Sequence, residues 1–473
     1  MRHHLSIDIE TKSSIDIQKA GLYKYAQSPD FEVLLFAYQW DEDPVELVDL
    51  TAGEEIPEWV LDELVNPETW KHAYNAAFEW YCLNCAGYET PLEQWRCTMM
   101  HGLYCGYTAG LDATGRAIGL PQDKQKLTTG KALIRYFCVP CKPTKSNGNR
   151  TWNLPKHAPE KWVLFKEYCK QDVVTEHEIW KRLEIYPVPE EEEALWQMDI
   201  RMNAFGVRVD EALIDGALSI DEICTEKLTG EAVRITGLQN PNSTAQLKAW
   251  IEQQTGSEVS GLTKENVTEL LARNDISDEV RRVLEIRQQL GKTSIKKYVA
   301  MKAAEGEGER VRGLTQFYGA NRTGRWAGRL VQMQNLPRNY LKTLDEARNL
   351  VKAKNYTGVR LIYGNVPDTL SQLIRTAFIP TEGRKFVVAD FSAIEARVIA
   401  WLAGEQWVNE VFATHGKIYE ATASQMFHVP IEKIVKGNPE YSLRQKGKVA
   451  TLALGYQGGS NALSRNGSFE HGA

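Results

Sequence analysis

The chain begins with an alternation of apolar and polar side chains that is typical of a β-strand. In residues 5–10 every second side chain is apolar, so Asp8 and Glu10 point to the same face of the predicted strand. Apolar runs over residues 31–40 and 45–50 predict a neighbouring strand and a short third strand. The chain is therefore expected to start with a small sheet that carries two acids on one face.

Helical patterns predominate after this sheet, and the breaks between them divide the chain. A loop rich in Pro, Asn, Lys and Thr is predicted over residues 142–156. The residues Tyr-Pro-Val-Pro at 186–189 interrupt the helices just before an acidic helix start, which predicts a domain boundary. Residues 190–305 are again helical in pattern, and the apolar run 385–390 predicts a further strand. We therefore predict two domains, over residues 1–186 and 187–473.

The composition is that of an ordinary folded protein. Of the 473 residues, 43% are hydrophobic and 25% are charged, and no apolar run reaches the roughly 20 residues of a membrane span. Because the start of the chain lacks a secretion signal, we expect a cytoplasmic protein with no membrane partner.

The cysteines include two CxxC pairs, Cys82 with Cys85 and Cys138 with Cys141. The two pairs lie too far apart in sequence for the usual zinc ribbon, and the first pair sits in an aromatic, helix-like run. We predict buried thiols at these positions, with metal binding as the alternative.

Charge is distributed very unevenly along the chain. Residues 1–80 carry 5 Lys and Arg against 17 Asp and Glu, whereas residues 281–360 carry 18 against 6. A basic stretch of this density is a candidate phosphate-binding surface, and on charge alone a solvated helix face is an equal alternative.

Two motifs near the start of the chain carry acids that suit a divalent cation. Asp8 and Glu10 share a strand face, and Mg²⁺ prefers such oxygen ligands; a strand with one wet face produces the same pair. Glu79 follows Asn75 by four residues and adds a third acid. The alternative for this second motif is an Asn helix cap followed by a first-turn acid.

A third motif places a phenol beside an acid. Tyr168 and Asp172 are four residues apart, so on a helix they share a face, and a phenol there can orient or deprotonate an attacking water. In this order the three motifs resemble those of DEDD exonucleases with a tyrosine in the third motif. The resemblance implies an RNase H-like fold in which Asp8, Glu10 and Asp172 hold two Mg²⁺ ions, or Mn²⁺, and Tyr168 aligns the water. Glu79 would be the remaining ligand, one methylene longer than the family's usual Asp.

The basic stretch also contains Gly turns, arginines and amide side chains. Such groups hold phosphates and read acceptors in the minor groove; a Gly-rich loop with incidental charge is the alternative. The positions of interest are Arg325, Gln334, Asn335 and Arg338.

The last residue of the strand predicted at 385–390 is an acid. Asp390 stands where a carboxylate can hold a cation at the end of a strand. Ser392 and Glu395 then have the spacing of a capping box, which predicts that a helix begins there.

A stripe of side chains every four residues is predicted on a helix near the end of the chain. It comprises Arg444, Lys448, Leu452 and Tyr456, which share one broad helix face. Two cations one turn apart suit a triphosphate, and a solvated basic face is the alternative.

From about residue 190 onward these motifs resemble the polymerase domain of family A DNA polymerases, as found in phage replication enzymes and bacterial repair enzymes. The resemblance implies an α/β chain with an exonuclease domain followed by part of a right-handed palm, thumb and fingers. The implied partners are a DNA primer–template, a single-stranded 3′ end held in part by Asn75, and a dNTP. The implied location is the cytoplasm of a bacterial or phage-infected cell.

The same resemblance implies a role for each residue of the second site. Asp390 would bind the catalytic metals, Glu395 would exclude a 2′-hydroxyl, and Arg325 would touch the primer end. Arg444 and Lys448 would grip the triphosphate, with Lys448 protonating the leaving pyrophosphate. Tyr456 would lie near the templating base, and Leu452 stands where many relatives carry an aromatic ring.

The second metal ligand of a polymerase site is not evident in the sequence. Asp390 is the last aspartate, whereas the family takes a second one from a downstream His-Asp hairpin. We therefore expect that this chain alone does not polymerise. It is either a truncated or frameshifted gene product, or one part of a split polymerase whose missing half a separate chain supplies. A stand-alone 3′→5′ DNA exonuclease and an inactive DNA-binding remnant are the alternatives.

Overall fold

The computed structural model describes residues 2–320, 322–455 and 457–461, which form parts of two compact units. The units comprise residues 1–384 and 385–473, and each is described by itself below. No helix among the described residues has the length and apolar character needed to cross a membrane.

A five-stranded sheet with order β3-β2-β1-β4-β5 forms the first part of unit 1. Its strands are β1 (His3–Lys12), β2 (Glu32–Trp40), β3 (Glu46–Asp49), β4 (Thr69–Ala73) and β5 (Trp95–Cys97). The helices are α1 (Ile17–Ala20), α2 (Leu22–Ala26), α3 (Glu58–Val65), α4 (Ala76–Cys85), α5 (Thr98–Tyr104), α6 (Leu111–Ala117), α7 (Gly130–Phe137) and α8 (Pro159–Leu183). Strands β1 and β2 are antiparallel, whereas β4 and β5 are parallel to their neighbours.

The three strands predicted from the sequence are present, and the prediction missed β4 and β5. Strand β4 does not alternate because Lys71, at its centre, is fully buried. The Lys71 ammonium donates hydrogen bonds to the carbonyls of Asn66, at 2.8 Å, and Thr69, at 3.0 Å. A buried, hydrogen-bonded lysine breaks the apolar pattern from which a buried strand is recognised.

The alternation in β1 separates the two faces of the sheet. Leu5, Ile7 and Ile9 enter one hydrophobic core together with residues of α4. Ser6, Asp8 and Glu10 lie on the other face, where Cys169 of α8 contacts Asp8. The sheet thus lies between helices, and the two acids of β1 face the long helix α8.

The rest of unit 1 is mainly helical. It comprises α9 (Glu190–Phe205), β6 (Val207–Arg208), α10 (Glu211–Thr236), α11 (Thr244–Thr255), α12 (Lys264–Ala272), α13 (Asp278–Leu290), α14 (Lys296–Ala304), β7 (Glu305–Gly306), β8 (Arg310–Val311), β9 (Thr315–Ala320), β10 (Arg325–Gly328), α15 (Leu344–Lys352), α16 (Tyr356–Tyr363) and α17 (Val366–Leu373). Helix α10 runs through its main core. Helix α11 follows a turn and is capped by Ser243.

Two aromatic residues and Ile200 of this second part pack into the core of the first sheet. Trp196 of α9 and Phe317 of β9 are buried in the same cluster as Leu5 and Ile7. The boundary predicted at residue 186 lies between α8 and α9, inside unit 1, and stays a prediction.

The described residues of unit 2 form four α-helices, α18 (Ile394–Ala403), α19 (Gln406–Thr414), α20 (Ile418–Phe427) and α21 (Leu443–Gly455). The strand predicted at 385–390 is wrong, because this segment is irregular and Val387 and Val388 are 84% and 90% exposed. No other described strand pairs with it, and an apolar run without a neighbouring strand cannot satisfy its backbone groups in a ladder.

The predicted capping box is also wrong. Helix α18 begins at Ile394, and its N-cap is Ala393, which makes no side-chain capping bond and has a φ of 52°. Ser392 therefore lies one residue too early to cap this helix, although Glu395 is in its first turn.

Candidate active sites

Four acids from three elements of unit 1 come together at the polar face of β1. This carboxylate cluster consists of Asp8 and Glu10 of β1, Glu79 of α4 and Asp172 of α8. Burial raises the pKa of each of these four carboxyl groups. The neighbouring acids raise the pKa of Asp8, Glu10 and Glu79 further, because the negative charges repel one another.

Two oxygens of the carboxylate cluster are buried without a hydrogen-bond partner, Oε2 of Glu79 and Oδ1 of Asp172. Concentrated negative charge and unsatisfied oxygen atoms are the donor set that suits a hard divalent cation. In residues 2–320, 322–455 and 457–461, no three His, Cys, Asp or Glu side chains already stand in position to hold a metal ion. The cluster therefore fits a cation in chemistry, and ligation requires its side chains to move closer.

Tyr168 and Asp172 lie on one face of α8, as their spacing predicted, and both are buried. Burial raises the pKa of the Tyr168 phenol, and the negative charge of Asp172 raises it further. Next to them, the fully buried Cys169 donates a hydrogen bond from Sγ to Oδ2 of Asp8 at 3.5 Å. Helix α8 thus contacts the acids of β1 and contributes its own phenol and acid.

Two residues that contact this pair were not predicted from the sequence. The ammonium of Lys126 forms an ion pair with Oδ2 of Asp172. Gly130, the first residue of α7, lies so close to Tyr168 that an added Cβ would be 2.0 Å from the ring. Neither residue stands out by spacing or periodicity, because each acts through a contact that is distant in sequence.

The alternative that the Asn75 side chain caps a helix is wrong. Asn75 is the N-cap residue of α4, but its side chain makes no capping hydrogen bond and is exposed. It lines a cavity of about 400 Å³ together with Asp199 and Phe317.

The cysteine prediction is right for one member of each pair. Cys82 and Cys138 are buried, and burial raises the pKa of both thiols well above the ordinary value. Cys85 is exposed and Cys141 is half-buried, so the prediction is wrong for these two; Cys85 lies at the last residue of α4.

The residues expected to touch DNA in unit 1 lie in and after the β9–β10 hairpin, residues 315–328. Arg325 begins β10, and the Gln334 side chain packs against Gly328 at the end of the same strand. Gln334, Asn335 and Arg338 are exposed. The structure therefore brings Gln334 next to the strand of Arg325, on an exposed edge.

Residues of α9 hold this hairpin in place, and one of them, Asp199, contacts both of its strands. Asp199 is buried and accepts hydrogen bonds from Thr315 Oγ1 at 2.5 Å, Phe317 N at 3.0 Å and Trp326 Nε1 at 2.8 Å. It thereby satisfies donors on both strands of the hairpin. From the sequence, Asp199 resembles any polar residue of an amphipathic helix.

Replacing Asp199 with alanine should lower the free energy of unfolding by about 3 kcal/mol, because three donors lose a charged acceptor. Urea denaturation followed by tryptophan fluorescence measures the loss. Met198→Ala, at an exposed position on the same helix, is the control and should change stability little. Equal stability of the two variants would contradict the anchoring role.

Several side chains of the basic stretch serve the fold itself. Arg348 and Lys352 pair with Asp210, and Arg282 pairs with Glu231. Some of the basic side chains in residues 281–360 are therefore paired with acids of the protein itself. A count of charges in the sequence does not distinguish such pairs from a phosphate-binding surface.

In unit 2, three members of the predicted stripe lie on α21, namely Arg444, Lys448 and Leu452. Tyr456 lies outside the described residues. Arg444 Nε donates to Oε1 of Glu420 at 2.7 Å, so its guanidinium already has an acidic partner.

Leu452 and Glu395 line one mostly apolar cavity of about 480 Å³ in unit 2. The structure thus brings together two residues that were expected near the nucleotide sugar. Asp390 lies in the irregular segment before α18 and is exposed.

Helix α21 depends on a close approach to α20. A Cβ added at Gly447 would lie 2.2 Å from the carbonyl oxygen of Tyr419 and 2.9 Å from the backbone nitrogen of Ala423. Only glycine allows this backbone contact, which holds the helix that carries Arg444 and Lys448.

A cluster of acids and a helix with two cations one turn apart are typical of proteins that act on nucleic acids and nucleotides. A sequence profile described as DNA polymerase family A matches residues 221–472. This chain belongs to DNA polymerase family A.

Individual relatives agree with this family. The chain is similar to a DNA polymerase of Bacillus phage SP02, with 55% identity over 470 residues, covering 99% of this chain and 71% of the relative. It is also similar to the thermostable DNA polymerase I of Thermus thermophilus, with 30% identity over 255 residues, covering 52% of this chain and 27% of the relative.

A solved structure is similar in fold. It is the POL domain of Pol1 from M. smegmatis in complex with DNA primer-template and dNTP, with a TM-score of 0.55 and 17% identity. The match covers 98% of this chain and 69% of that chain. The polymerase fold and the family resemblance predicted from the sequence are therefore confirmed.

Proposed function

We propose that this family A DNA polymerase serves DNA replication and removes nucleotides from a DNA 3′ end with its first sheet. The observation that carries the exonuclease is the carboxylate cluster, in which three buried acids and the half-buried Asp8 leave two oxygens without a hydrogen-bond partner. Its working place is the cytoplasm of a bacterial or phage-infected cell, in keeping with the relative in a Bacillus phage.

The exonuclease chemistry divides among the side chains of β1, α4 and α8. Asp8, Glu10 and Asp172 would hold two Mg²⁺ ions, or Mn²⁺, and Glu79 would reach the second ion through its longer arm. Bound divalent ions polarise a phosphodiester and stabilise the leaving 3′ oxygen. Tyr168 orients the attacking water through its hydroxyl group.

Nucleotide binding falls to α21 and to the start of α18. Arg444 and Lys448 would grip the triphosphate, with Lys448 protonating the pyrophosphate, and Tyr456 would face the templating base. Because Arg444 is paired with Glu420, a triphosphate must displace this carboxylate or share the guanidinium with it. Glu395 and Leu452 would face the sugar.

The DNA duplex is assigned to the exposed edge of unit 1. Arg325, Gln334, Asn335 and Arg338 would touch the primer–template there, and Asn75 would touch the frayed 3′ strand. The internal pairing of other basic residues concentrates this role on the hairpin and the turn after it.

The polymerase site that we propose has one metal-binding carboxylate within these 473 residues, where two are needed. Asp390 would bind the catalytic metals, but no aspartate follows it in the sequence. Two-metal phosphoryl transfer uses two flanking carboxylates, so the second would have to come from residues outside these 473, whether of the same protein or of a separate chain.

The purified chain, given Mg²⁺, dNTPs and an end-labelled primer–template, should shorten the primer and not extend it. Product lengths on a denaturing gel measure both reactions. Shortening should vanish in Asp8→Ala, which controls for contaminating nucleases. Extension of the primer would contradict the argument that a carboxylate is missing. If the primer is neither shortened nor extended, the result would favour a DNA-binding remnant.

A further inference from the structure

One segment of the chain lies over Tyr168 and Asp172 and is bound to α8. It runs over residues 121–130, between α6 and α7, and is called the cover segment here. Gln171 Nε2 donates to the carbonyls of Asp123, at 3.0 Å, and Gln125, at 3.2 Å. Lys124 forms an ion pair with Glu178 at 3.2 Å. The segment is thus bound to the helix that carries Tyr168 and Asp172.

Lys126 is the residue of the cover segment that reaches both members of this pair. Its ammonium contacts Oδ2 of Asp172 and lies 4.5 Å from the centre of the Tyr168 ring. The side chain of Asp172 is 6% exposed and that of Lys126 is 25% exposed. One cation therefore engages the carboxylate and the phenol ring at the same time, in a site that water barely enters.

Gly130 fixes the other end of the cover segment against the same ring. An added Cβ would lie 2.0 Å from Cε2 and 2.3 Å from Cζ of Tyr168. The ring is thus confined by the backbone of Gly130 while Lys126 lies within cation–π distance of it. Gly130 and Lys126 themselves are not among the four acids and the tyrosine of the proposed exonuclease.

The charge balance gives Lys126 a second effect. The carboxylate cluster places four acids in one buried region, and Lys126 provides a positive charge within it. A divalent cation that takes Oδ2 of Asp172 must compete with this ammonium, whereas Oδ1 of the same carboxylate has no hydrogen-bond partner.

We propose that Lys126 is a positioning residue of the exonuclease site. It holds Asp172 and Tyr168 in place before metal and DNA bind, and it releases Oδ2 of Asp172 when a divalent cation takes that oxygen. This inference rests on the proposed exonuclease function, and it predicts effects on metal binding that can be measured without catalysis.

Lys126→Met should change metal binding and turnover in opposite directions. Without the competing ammonium, Mn²⁺ should bind several-fold more tightly, because Oδ2 of Asp172 is already free. Turnover should fall about tenfold with little change in KM for single-stranded DNA, because Tyr168 and Asp172 lose their common support. Lys126→Arg keeps the charge and should restore most of both properties.

The test is a Mn²⁺ titration of the melting temperature of the full chain, without DNA, starting in EDTA. Lys126→Met should reach half of its Mn²⁺-induced shift at a several-fold lower concentration than the unaltered chain. Lys124→Met, on the same segment but paired with Glu178, is the matched control and should titrate like the unaltered chain. A Lys126→Met titration that matches the control would overturn the inference.

A second pair of variants separates competition from a general loss of structure. In an Asp172→Asn background the ammonium has lost its ion-pair partner, so adding Lys126→Met should shift the Mn²⁺ midpoint much less than it does in the unaltered chain. An unchanged shift in that background would overturn the inference. If the unaltered chain fails to shorten DNA, the proposed function fails, whereas the midpoints still decide whether Lys126 competes with the metal.

Discussion

Asp172→Asn should reduce the shortening of a labelled single-stranded DNA on the order of 10³-fold, because loss of one metal-holding carboxylate removes several kcal/mol of transition-state stabilisation. The substitution keeps the shape of the side chain and removes its charge. Burial and the neighbouring acids raise the pKa values in the carboxylate cluster, so the loss of one charge relieves repulsion. We therefore expect a folded variant with a strongly reduced rate.

Single-turnover digestion in Mg²⁺ measures this effect, with the melting temperature in EDTA as the check on folding. Glu178→Gln, on the same helix and paired with Lys124, is the matched control and should keep its rate within a few-fold. A rate for Asp172→Asn close to that of the control would remove the main support for the proposed exonuclease.

Gly447→Ala should destabilise unit 2 by at least about 2 kcal/mol, although alanine favours helices over glycine by roughly 1 kcal/mol. The added Cβ would lie 2.2 Å from a backbone oxygen of α20, and a backbone atom cannot move aside as the end of a side chain can. Helix α21 must then shift away from α20, and Arg444 should lose its ion pair with Glu420.

Gly455→Ala on the same helix is the matched control, because an added Cβ there has no described atom within 4 Å. Limited proteolysis and the helical circular dichroism signal during urea titration report on unit 2 in the full chain. Cleavage within α20 and α21 should begin at lower urea in Gly447→Ala only. Equal resistance in both alanine variants would show that the close helix contact is not needed.

The residues that the sequence identified correctly are those whose signal is local. The alternation in β1 placed Asp8 and Glu10 on one face, and the spacing of four placed Tyr168 beside Asp172 on α8. In both cases regular geometry alone determines which side chains share a face, so no tertiary contact is needed to predict it.

The residues that were missed depend on contacts between distant parts of the chain. Lys126, Gly130 and Asp199 look like ordinary loop or helix residues, and each becomes informative only beside its partner. The wrong strand at 385–390 has the same cause, because an apolar run becomes a strand only where another strand pairs with it.

The burial of Trp196 and Phe317 among the side chains of the first sheet has a consequence for cooperativity. A polypeptide ending at residue 186 would lack both aromatic groups and would leave their places in that core open to water. The segment with the carboxylate cluster and the hairpin with Arg325 should therefore melt in one transition. To express the segment with the carboxylate cluster by itself, the boundary would have to be placed so that the residues packed against its core are kept, rather than at the break between the helices.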